Sequence, residues 1–299
     1  MQCKICKNEK LNIPFLAQGG FEYFECSVCK TLQIKEIPLD NSKYYSGDYY
    51  SYNLDYKKLF GKLYHIQHII IKLSFLIYPL AFLFTFGSKI FLKKRYEKSY
   101  WLYYLLKNFR NLNSKILDVG CGNGTLLCEM QKYGYSNLTG IEPFLQSDID
   151  YGNGVKVYKK ELSELSEKFD MIMFHHSLEH ISNPLEIFEN IYRLLNKNGI
   201  AMIRIPIAGS YAWRKYKTFW SQLDAPRHLF IFSTYAIKML AEKNNLSLEE
   251  IFFDSTVFQI TASEQRKFSK KELKKIQKFV YELNAMFDGD QAMFILRKP

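Results

Sequence analysis

Apolar and polar positions follow a regular pattern over residues 98–299. Strand-like apolar runs alternate there with helix-like stretches, which is typical of an α/β domain. The strands are predicted at 115–119, 138–142, 155–158, 169–175, 200–205, 247–258 and 292–298. The helices are predicted at 98–110, 125–133, 184–195 and 269–283. The pattern therefore predicts a sheet with helices on both faces as the larger domain of the chain.

Residues 41–97 do not follow this pattern. A tyrosine-rich stretch at 40–56 predicts a loop or short turns that either pack over a ligand or cover the surface. The uncharged run Leu73–Phe86 is shorter than the roughly 20 residues of a spanning helix, and Pro79 interrupts it. Because basic residues flank it, residues 69–95 predict one or two apolar helices, either at a membrane interface or buried against the neighbouring domain.

The net charge of the protein favours certain classes of binding partner. A formal net charge of +11 favours polyanions, namely nucleic acid, an acidic membrane face or phosphorylated substrates, and also fits a solvated lysine-rich surface. The polar N-terminus lacks the apolar core of a signal peptide. The expected location is therefore the cytoplasm, with peripheral contact at the inner membrane face through residues 69–95. Thiols stay reduced there, and paired cysteines bind metal more often than they form disulfides.

Four cysteines form two C-x-x-C pairs near the N-terminus: Cys3, Cys6, Cys26 and Cys29. Four thiolates complete a tetrahedral shell around Zn²⁺ and leave no position for water, so the predicted site is structural. Residues 1–40 are accordingly predicted to form a small zinc-binding module. The alternative is two redox-active or incidental pairs.

A glycine-rich turn follows the first predicted strand of the α/β domain, where residues 116–126 read ILDVGCGNGTL. Gly120, Gly122 and Gly124 stand at alternate positions, which allows a sharp bend and a close approach of a ligand to the backbone. Asp118 precedes the turn. Glu142 ends the second strand, where a carboxylate can accept both hydroxyl hydrogens of a ribose. These residues predict a nucleoside-binding site.

The stretches ILDVGCGNGTLL, GIEP and FDMIMFHHSLEHISNP resemble the motifs of class I S-adenosylmethionine (SAM)-dependent methyltransferases. The resemblance implies a Rossmann-like sheet of seven strands with the last strand antiparallel. It also implies that the three glycines cradle the methionine part of SAM and that Glu142 binds the ribose. Glu161 would contact the adenine, and His175 would line the SAM pocket.

Two later stretches, DAPRHLFIFS and GDQAMFILRKP, resemble a subgroup that acts on sugars or other small molecules. Some members of that subgroup carry an N-terminal four-cysteine zinc module followed by a tyrosine-rich segment. The Leu178–Glu179–His180 trio is a hallmark of the wider family. In some relatives that act in quinone synthesis, a similar Glu–His pair binds a divalent metal.

Methylation of a hydroxyl gains from a general base, and histidine suits this role near neutral pH. The first candidate is His228, beside Arg227, which could bind a phosphate or carboxylate. The alternative role for His228 is to hold a loop through hydrogen bonds. The second candidate for the base is His176.

The leading hypothesis is SAM-dependent methylation of a small molecule, namely a hydroxyl of a nucleotide- or lipid-linked sugar in surface polysaccharide biosynthesis. One alternative is an RNA methyltransferase with a zinc ribbon. Nucleic acid is disfavoured because basic residues are scattered and because residues 175–178 lack the Asn/Asp-Pro-Pro-aromatic run typical of nitrogen methylation. A further alternative is a non-catalytic scaffold associated with a membrane.

Overall fold

A computed structural model describes residues 1–38, Tyr44 and residues 111–299. Its strands are β1 (Ile13–Leu16), β2 (Glu22–Glu25), β3 (Leu32–Ile34), β4 (Ile116–Val119), β5 (Leu138–Ile141), β6 (Ile149–Asp150), β7 (Val155–Tyr158), β8 (Phe169–His175), β9 (Leu195–Pro206), β10 (Phe230–Ile231), β11 (Ser247–Phe253) and β12 (Gln291–Arg297). Its α-helices are α1 (Thr125–Lys132), α2 (Pro184–Leu194), α3 (Tyr211–Tyr216), α4 (Thr234–Lys243), α5 (Val257–Glu264) and α6 (Lys270–Ala285).

The chain forms two compact units, and the first comprises Met1–Asp48 and Lys160–Pro299. In this unit β8 pairs parallel with β9, β9 pairs antiparallel with β12, and β12 pairs antiparallel with β11. A second, antiparallel sheet in the same unit has the order β1-β2-β3-β10. Nearly every side chain of β8 and β12 is buried. Strands covered on both faces need apolar residues throughout, which explains the continuous apolar runs in the sequence.

The second unit comprises Tyr49–Lys159. Its strands β4, β5 and β7 pair in parallel, and the two-residue strand β6 pairs antiparallel with β7. All four side chains of β4 are buried. Helix α1 follows β4 directly after the glycine-rich turn, so the strand–turn–helix order predicted for this stretch is present.

The mixed α/β fold with a mostly parallel central sheet confirms the predicted fold class, and β12 runs antiparallel as expected. The short strand β6 is an addition to the seven predicted strands. The predicted strand 247–258 ends earlier, at Phe253. Thr256 caps helix α5 there: its Oγ1 accepts from the backbone N–H of Phe258 at 3.3 Å, and its own N–H donates to Gln259 Oε1 at 2.7 Å.

The apolar segment at 69–95 and the predicted helix at 98–110 lie outside the described residues, as does the tyrosine-rich stretch apart from Tyr44. Within the part of the chain that the structure describes, no helix combines the length and apolarity needed to cross a bilayer. The predicted membrane contact of residues 69–95 therefore stays a prediction.

Candidate functional site

The four N-terminal cysteines converge on one point. Their Sγ atoms all lie within 4.8 Å of one another, and the Cys3–Cys29 and Cys6–Cys26 pairs are each 3.5 Å apart. None of the four forms a disulfide. Zinc–sulfur bonds of about 2.3 Å in a tetrahedron separate the sulfurs by roughly 3.8 Å, so this arrangement fits a zinc ion.

Each cysteine pair closes the same kind of turn. The backbone N–H of Lys7 donates to the carbonyl of Cys3 at 2.9 Å, and that of Lys30 donates to the carbonyl of Cys26 at 3.0 Å. Both lysines adopt left-handed backbone conformations, with φ of 61° and 59°. The two turns therefore present their thiols in equivalent ways, as expected of two halves of one metal site.

In the second unit, the glycine-rich turn has the backbone that its sequence predicts. Gly120, Gly122 and Gly124 have φ of 71°, 56° and 77°, a left-handed region that other residues enter at a cost. A Cβ added at Gly124 would lie 2.6 Å from Cγ2 of Val157. The turn therefore requires glycine at this position for space as well as for conformation.

Two buried acidic residues stand at the ends of the strands beside this turn. Glu142 accepts hydrogen bonds from the backbone N–H of Gly122 at 3.3 Å and from that of Phe144 at 3.2 Å. Burial, and secondarily the charge of Glu142, raise the pKa of Asp118 to about 8. The Oδ1 atom of Asp118 has no hydrogen-bond partner among the described residues. An oriented carboxylate and a partnerless buried carboxyl oxygen beside a glycine-rich turn fit a ligand that donates hydrogen bonds, such as a nucleoside.

In the first unit, the ring of His228 is held in one tautomer. The residue is 5% exposed, and its Nδ1 lies 2.7 Å from the carbonyl oxygen of Gln222. Because a carbonyl only accepts, Nδ1 carries the hydrogen and the neutral ring has its lone pair on Nε2. His180 packs against this ring, with centroids 4.8 Å apart, and its own Nδ1 lies 2.9 Å from the carbonyl oxygen of Arg227.

The basic nitrogen of His228 faces two carboxylates. Nε2 lies 3.8 Å from Asp224 Oδ2 and 4.0 Å from Glu179 Oε1. Burial and the neighbouring His180 lower the pKa of His228 to about 4, although the two carboxylates and the Gln222 carbonyl oppose this shift. The imidazole is therefore neutral near pH 7, and both carboxylates would stabilise a proton that it accepts.

Glu179 is fully buried among histidines. Its Oε1 lies 3.4 Å from Nδ1 of His176. Within the described ranges, neither of its oxygens has a hydrogen-bond partner of good geometry. Burial acts to raise the pKa of Glu179, but the imidazoles of His176, His180 and His228 outweigh it and hold the pKa at about 2. Glu179 is thus an ionised carboxylate whose oxygens can accept a further donor or a cation.

His176, the second candidate for the base, is held by a different network. Its Nε2 lies 2.9 Å from the guanidinium of Arg204, which in turn donates to Asp254 at 2.6 Å. A guanidinium only donates, so the lone pair of His176 is already engaged. His176 also has a left-handed backbone, with φ of 53°. Its hydrogen then lies on Nδ1, towards Glu179.

The other predicted site residues have varied surroundings. Burial lowers the pKa of His175 to about 3, and its Nε2 has no hydrogen-bond partner in the described part of the chain. Glu161 is exposed and caps the short 3₁₀ helix Leu162–Glu164. Arg227 forms an ion pair with Asp224 at 2.7 Å.

Several functional candidates were not predicted from the sequence. Asp224 stands four residues before His228, and Arg204 lies inside an apolar predicted strand. A charged residue within such a run is a usable indication of a buried polar network, because burial is costly without a partner. Gln222 gave no indication, since its backbone carbonyl makes the contact.

A family model described as a methyltransferase domain matches residues 92–251. The match covers more than half of the chain, so the chain belongs to this methyltransferase family. The site residues in question, from Asp118 to His228, all lie within the matched range.

Individual relatives match shorter stretches. Ubiquinone biosynthesis O-methyltransferase of Rickettsia bellii (strain OSU 85-389) is 33% identical over 154 residues, covering 46% of this chain and 63% of that protein. The tRNA U34 carboxymethyltransferase of Campylobacter hominis is 30% identical over 114 residues, covering 34% and 40%. The chain thus spans less than two thirds of the length of these relatives. A SAM-dependent methyltransferase structure from Archaeoglobus fulgidus is similar with a TM-score of 0.44 and 19% identity, covering 71% of this chain and 95% of that one.

Proposed function

We propose that this protein is a SAM-dependent methyltransferase that acts on a hydroxyl of a small molecule. Membership of the methyltransferase family and the geometry of the glycine-rich turn support the use of SAM. When bound, SAM supplies an activated methyl group. The chain's own contribution is to hold SAM, with its methionine part at Gly120, Gly122 and Gly124 and its ribose on Glu142, and with Asp118 beside them.

The observation that carries the acceptor chemistry is the tautomer of His228. Its Nδ1–H donates to the Gln222 carbonyl, so Nε2 retains the lone pair that a general base needs. His176 lacks this property because Arg204 occupies its lone pair. We therefore rank His228 above His176. The proton would move from the acceptor hydroxyl to Nε2, where Glu179 and Asp224 stabilise the imidazolium.

The experiment is a comparison of His228→Gln with His176→Gln in methyl transfer from labelled SAM. We expect His228→Gln to lower turnover by about 10²- to 10⁴-fold, the usual contribution of a general base, while SAM affinity measured by calorimetry stays unchanged. A larger loss in His176→Gln, or equal turnover in His228→Gln, would move the base elsewhere.

The acceptor class remains our proposal of a nucleotide- or lipid-linked sugar. A relative named as an O-methyltransferase supports an oxygen acceptor, but its name refers to ubiquinone biosynthesis. A panel of nucleotide sugars, phenolic small molecules and tRNA, each incubated with labelled SAM, separates the classes. Methyl incorporation into phenols alone would replace the sugar with a quinone-type acceptor.

An RNA acceptor is the second candidate function, supported by a relative named as a tRNA-modifying enzyme and by the net charge of +11. Labelled methyl groups in the tRNA fraction would favour it. Binding of tRNA that disappears at moderate salt without methyl incorporation would indicate only nonspecific electrostatic contact.

The four-cysteine cluster is proposed to hold a structural zinc ion. A metal at Glu179, His180 and His228, whose ligand atoms lie within 4.8 Å of one another, is the alternative to a general base, because it would take the Nε2 lone pair of His228. The partnerless oxygens of Glu179 support it, and two histidines whose Nδ1 atoms meet carbonyls match the usual second shell of metal ligands. Metal analysis separates the two sites, because Glu179→Gln should lower the metal content only if the second site is occupied.

A further inference from the structure

The described part of the N-terminal module, residues 1–38, shares a sheet with the segment that carries His228. Strand β3 pairs antiparallel with β10, with Gln33 opposite Phe230 and Leu32 opposite Ile231. The pairing extends one residue further, because the backbone N–H of Ile34 donates to the carbonyl of Leu229 at 3.0 Å. Strand β10 begins two residues after His228, so this ladder holds the backbone next to the candidate base.

One side chain of the module reaches His228 itself. Tyr23, on β2, is fully buried, and its hydroxyl donates to the backbone carbonyl of His228 at 2.7 Å. A carbonyl oxygen only accepts, so the Tyr23 hydroxyl is the donor in this contact. Tyr23 precedes Cys26 by three residues, so the donor of this hydrogen bond lies next to the cysteine cluster in the chain.

The module also holds the far end of the same segment. Ser233 donates its hydroxyl to the carbonyl of Cys29 at 2.6 Å and accepts from the backbone N–H of Ala236 at 3.0 Å, which caps helix α4. Between these points, the backbone N–H of Leu229 donates to the carbonyl of Glu179 at 2.8 Å. Residues 228–233 are therefore held by the module on one side and by the Glu179 loop on the other.

We propose that the N-terminal module is a positioning element for the acceptor site, and that Tyr23 is the residue through which it orients His228. The inference rests on the role proposed above for His228. The module's own core is small, so loss of the metal would loosen its fold. The cysteine cluster then affects His228 without contacting it, because the folded module maintains the β3–β10 ladder and the Tyr23 hydrogen bond.

The test follows the imidazole of His228 by NMR in the full-length protein labelled with ¹³C-histidine. The resonance is assigned as the one that disappears in His228→Gln. We expect Tyr23→Phe, which removes only a hydroxyl, to shift this resonance while the zinc content stays at the level of the unmodified protein. Cys6→Ser, which weakens the metal site, should shift or broaden the same resonance.

Two control variants test whether the shift of the His228 resonance is specific to changes in the module. Tyr192→Phe removes a hydroxyl from helix α2 of the same unit, and Cys128→Ala removes a thiol of α1 outside the module. Both should leave the His228 resonance in place. If that resonance is also unchanged in Tyr23→Phe and in zinc-depleted Cys6→Ser, the proposal is overturned.

The outcome can be separated from that of the proposed function, because the NMR measurement requires neither SAM nor an acceptor. Calorimetry with SAM on Tyr23→Phe should give unchanged affinity. Absence of SAM binding in every variant would refute the methyltransferase proposal. The shift of the His228 resonance in Tyr23→Phe would still show whether the module orients His228. If Cys6→Ser fails to fold, Tyr23→Phe alone decides it.

Discussion

Glu142 illustrates how two backbone hydrogen bonds prepare a single carboxylate for a ligand. The N–H groups of Gly122 and Phe144 bind one oxygen each, which fixes the direction of the carboxylate before any ligand arrives. A carboxylate oxygen can accept more than one hydrogen bond, so a ribose hydroxyl can share it. The sequence predicted the position of Glu142 at the strand end. The orientation depends on the fold of the turn.

We predict that Glu142→Gln weakens SAM binding by about 10- to 100-fold, the range for a lost hydrogen bond to a charged group. Isothermal titration calorimetry with SAM measures this directly. Glu129→Gln, which removes a carboxylate from helix α1, serves as the matched control and should bind normally. Equal affinities for the two variants would refute the pocket assignment.

Asp118 gives a prediction about pH. Its pKa is raised from the ordinary 3.8 to about 8, so the folded state holds a proton that the unfolded state loses. This contribution to the free energy of unfolding is complete below about pH 4 and disappears as the pH rises through about 8. Asp118→Asn cannot ionise. The variant should therefore gain stability relative to the unmodified protein as the pH rises from 5 to 9.

Urea unfolding at several pH values measures this difference. Asp150→Asn is the control, because Asp150 is exposed and its pKa is lowered, chiefly by a hydrogen bond from the backbone N–H of Gly152. Its stability relative to the unmodified protein should show no such gain. A flat difference for Asp118→Asn as well would mean that Asp118 is ionised in the folded protein.

At the scale of elements, the strand–turn–helix unit of β4 and α1 was predictable because local rules govern it. An apolar run, alternating glycines and a helix-forming stretch each act within a few residues. Strand β11 was predicted too long because the apolar pattern was followed through a second local signal. Whether residues 254–258 continue a strand or start a helix depends on Thr256 meeting Gln259 in a capping box, which competes with the apolar pattern.

Gly124→Ala tests the glycine-rich turn as an element. The alanine would have to keep φ near 77° and place its Cβ 2.6 Å from Val157. We expect a loss of about 1–3 kcal/mol of stability together with weaker SAM binding.

Gly152→Ala is the matched control for this prediction. Gly152 also has a left-handed φ, 67°, but a Cβ there meets nothing within 4 Å. Thermal unfolding of both variants separates the strain of φ from the clash. If both lose the same stability, the close approach to Val157 is unimportant.

At the scale of the whole molecule, the N-terminal module belongs to the same compact unit as residues 160–299. Trp213 packs against the module: its ring lies 5.2 Å from that of Phe15, and its Nε1 donates to Glu25 at 3.3 Å. The larger domain therefore buries side chains against the module.

We predict that removal of zinc by a chelator lowers the midpoint of thermal unfolding. The tryptophan fluorescence should change as well, because Trp213 becomes exposed to water. Trp213→Phe should keep the shift in the midpoint but lose most of the fluorescence change. A chelated protein with unaltered fluorescence and an unaltered midpoint would show that the module and the larger domain are independent.

The sequence by itself determined the elements and residues that local chemistry controls. These are the buried strands, the glycine-rich turn with Asp118 and Glu142, and the spacing of the four cysteines. The tertiary structure decided which ring nitrogen of His228 and of His176 carries the hydrogen. Gln222 contacts His228 through a backbone carbonyl, and Arg204 is far from His176 along the chain, so no sequence pattern shows either contact. The tertiary structure also decided the pairing of β3 with β10, residues about two hundred positions apart. Such contacts depend on which strands pair in the folded protein, and the sequence pattern of a strand does not identify its partner.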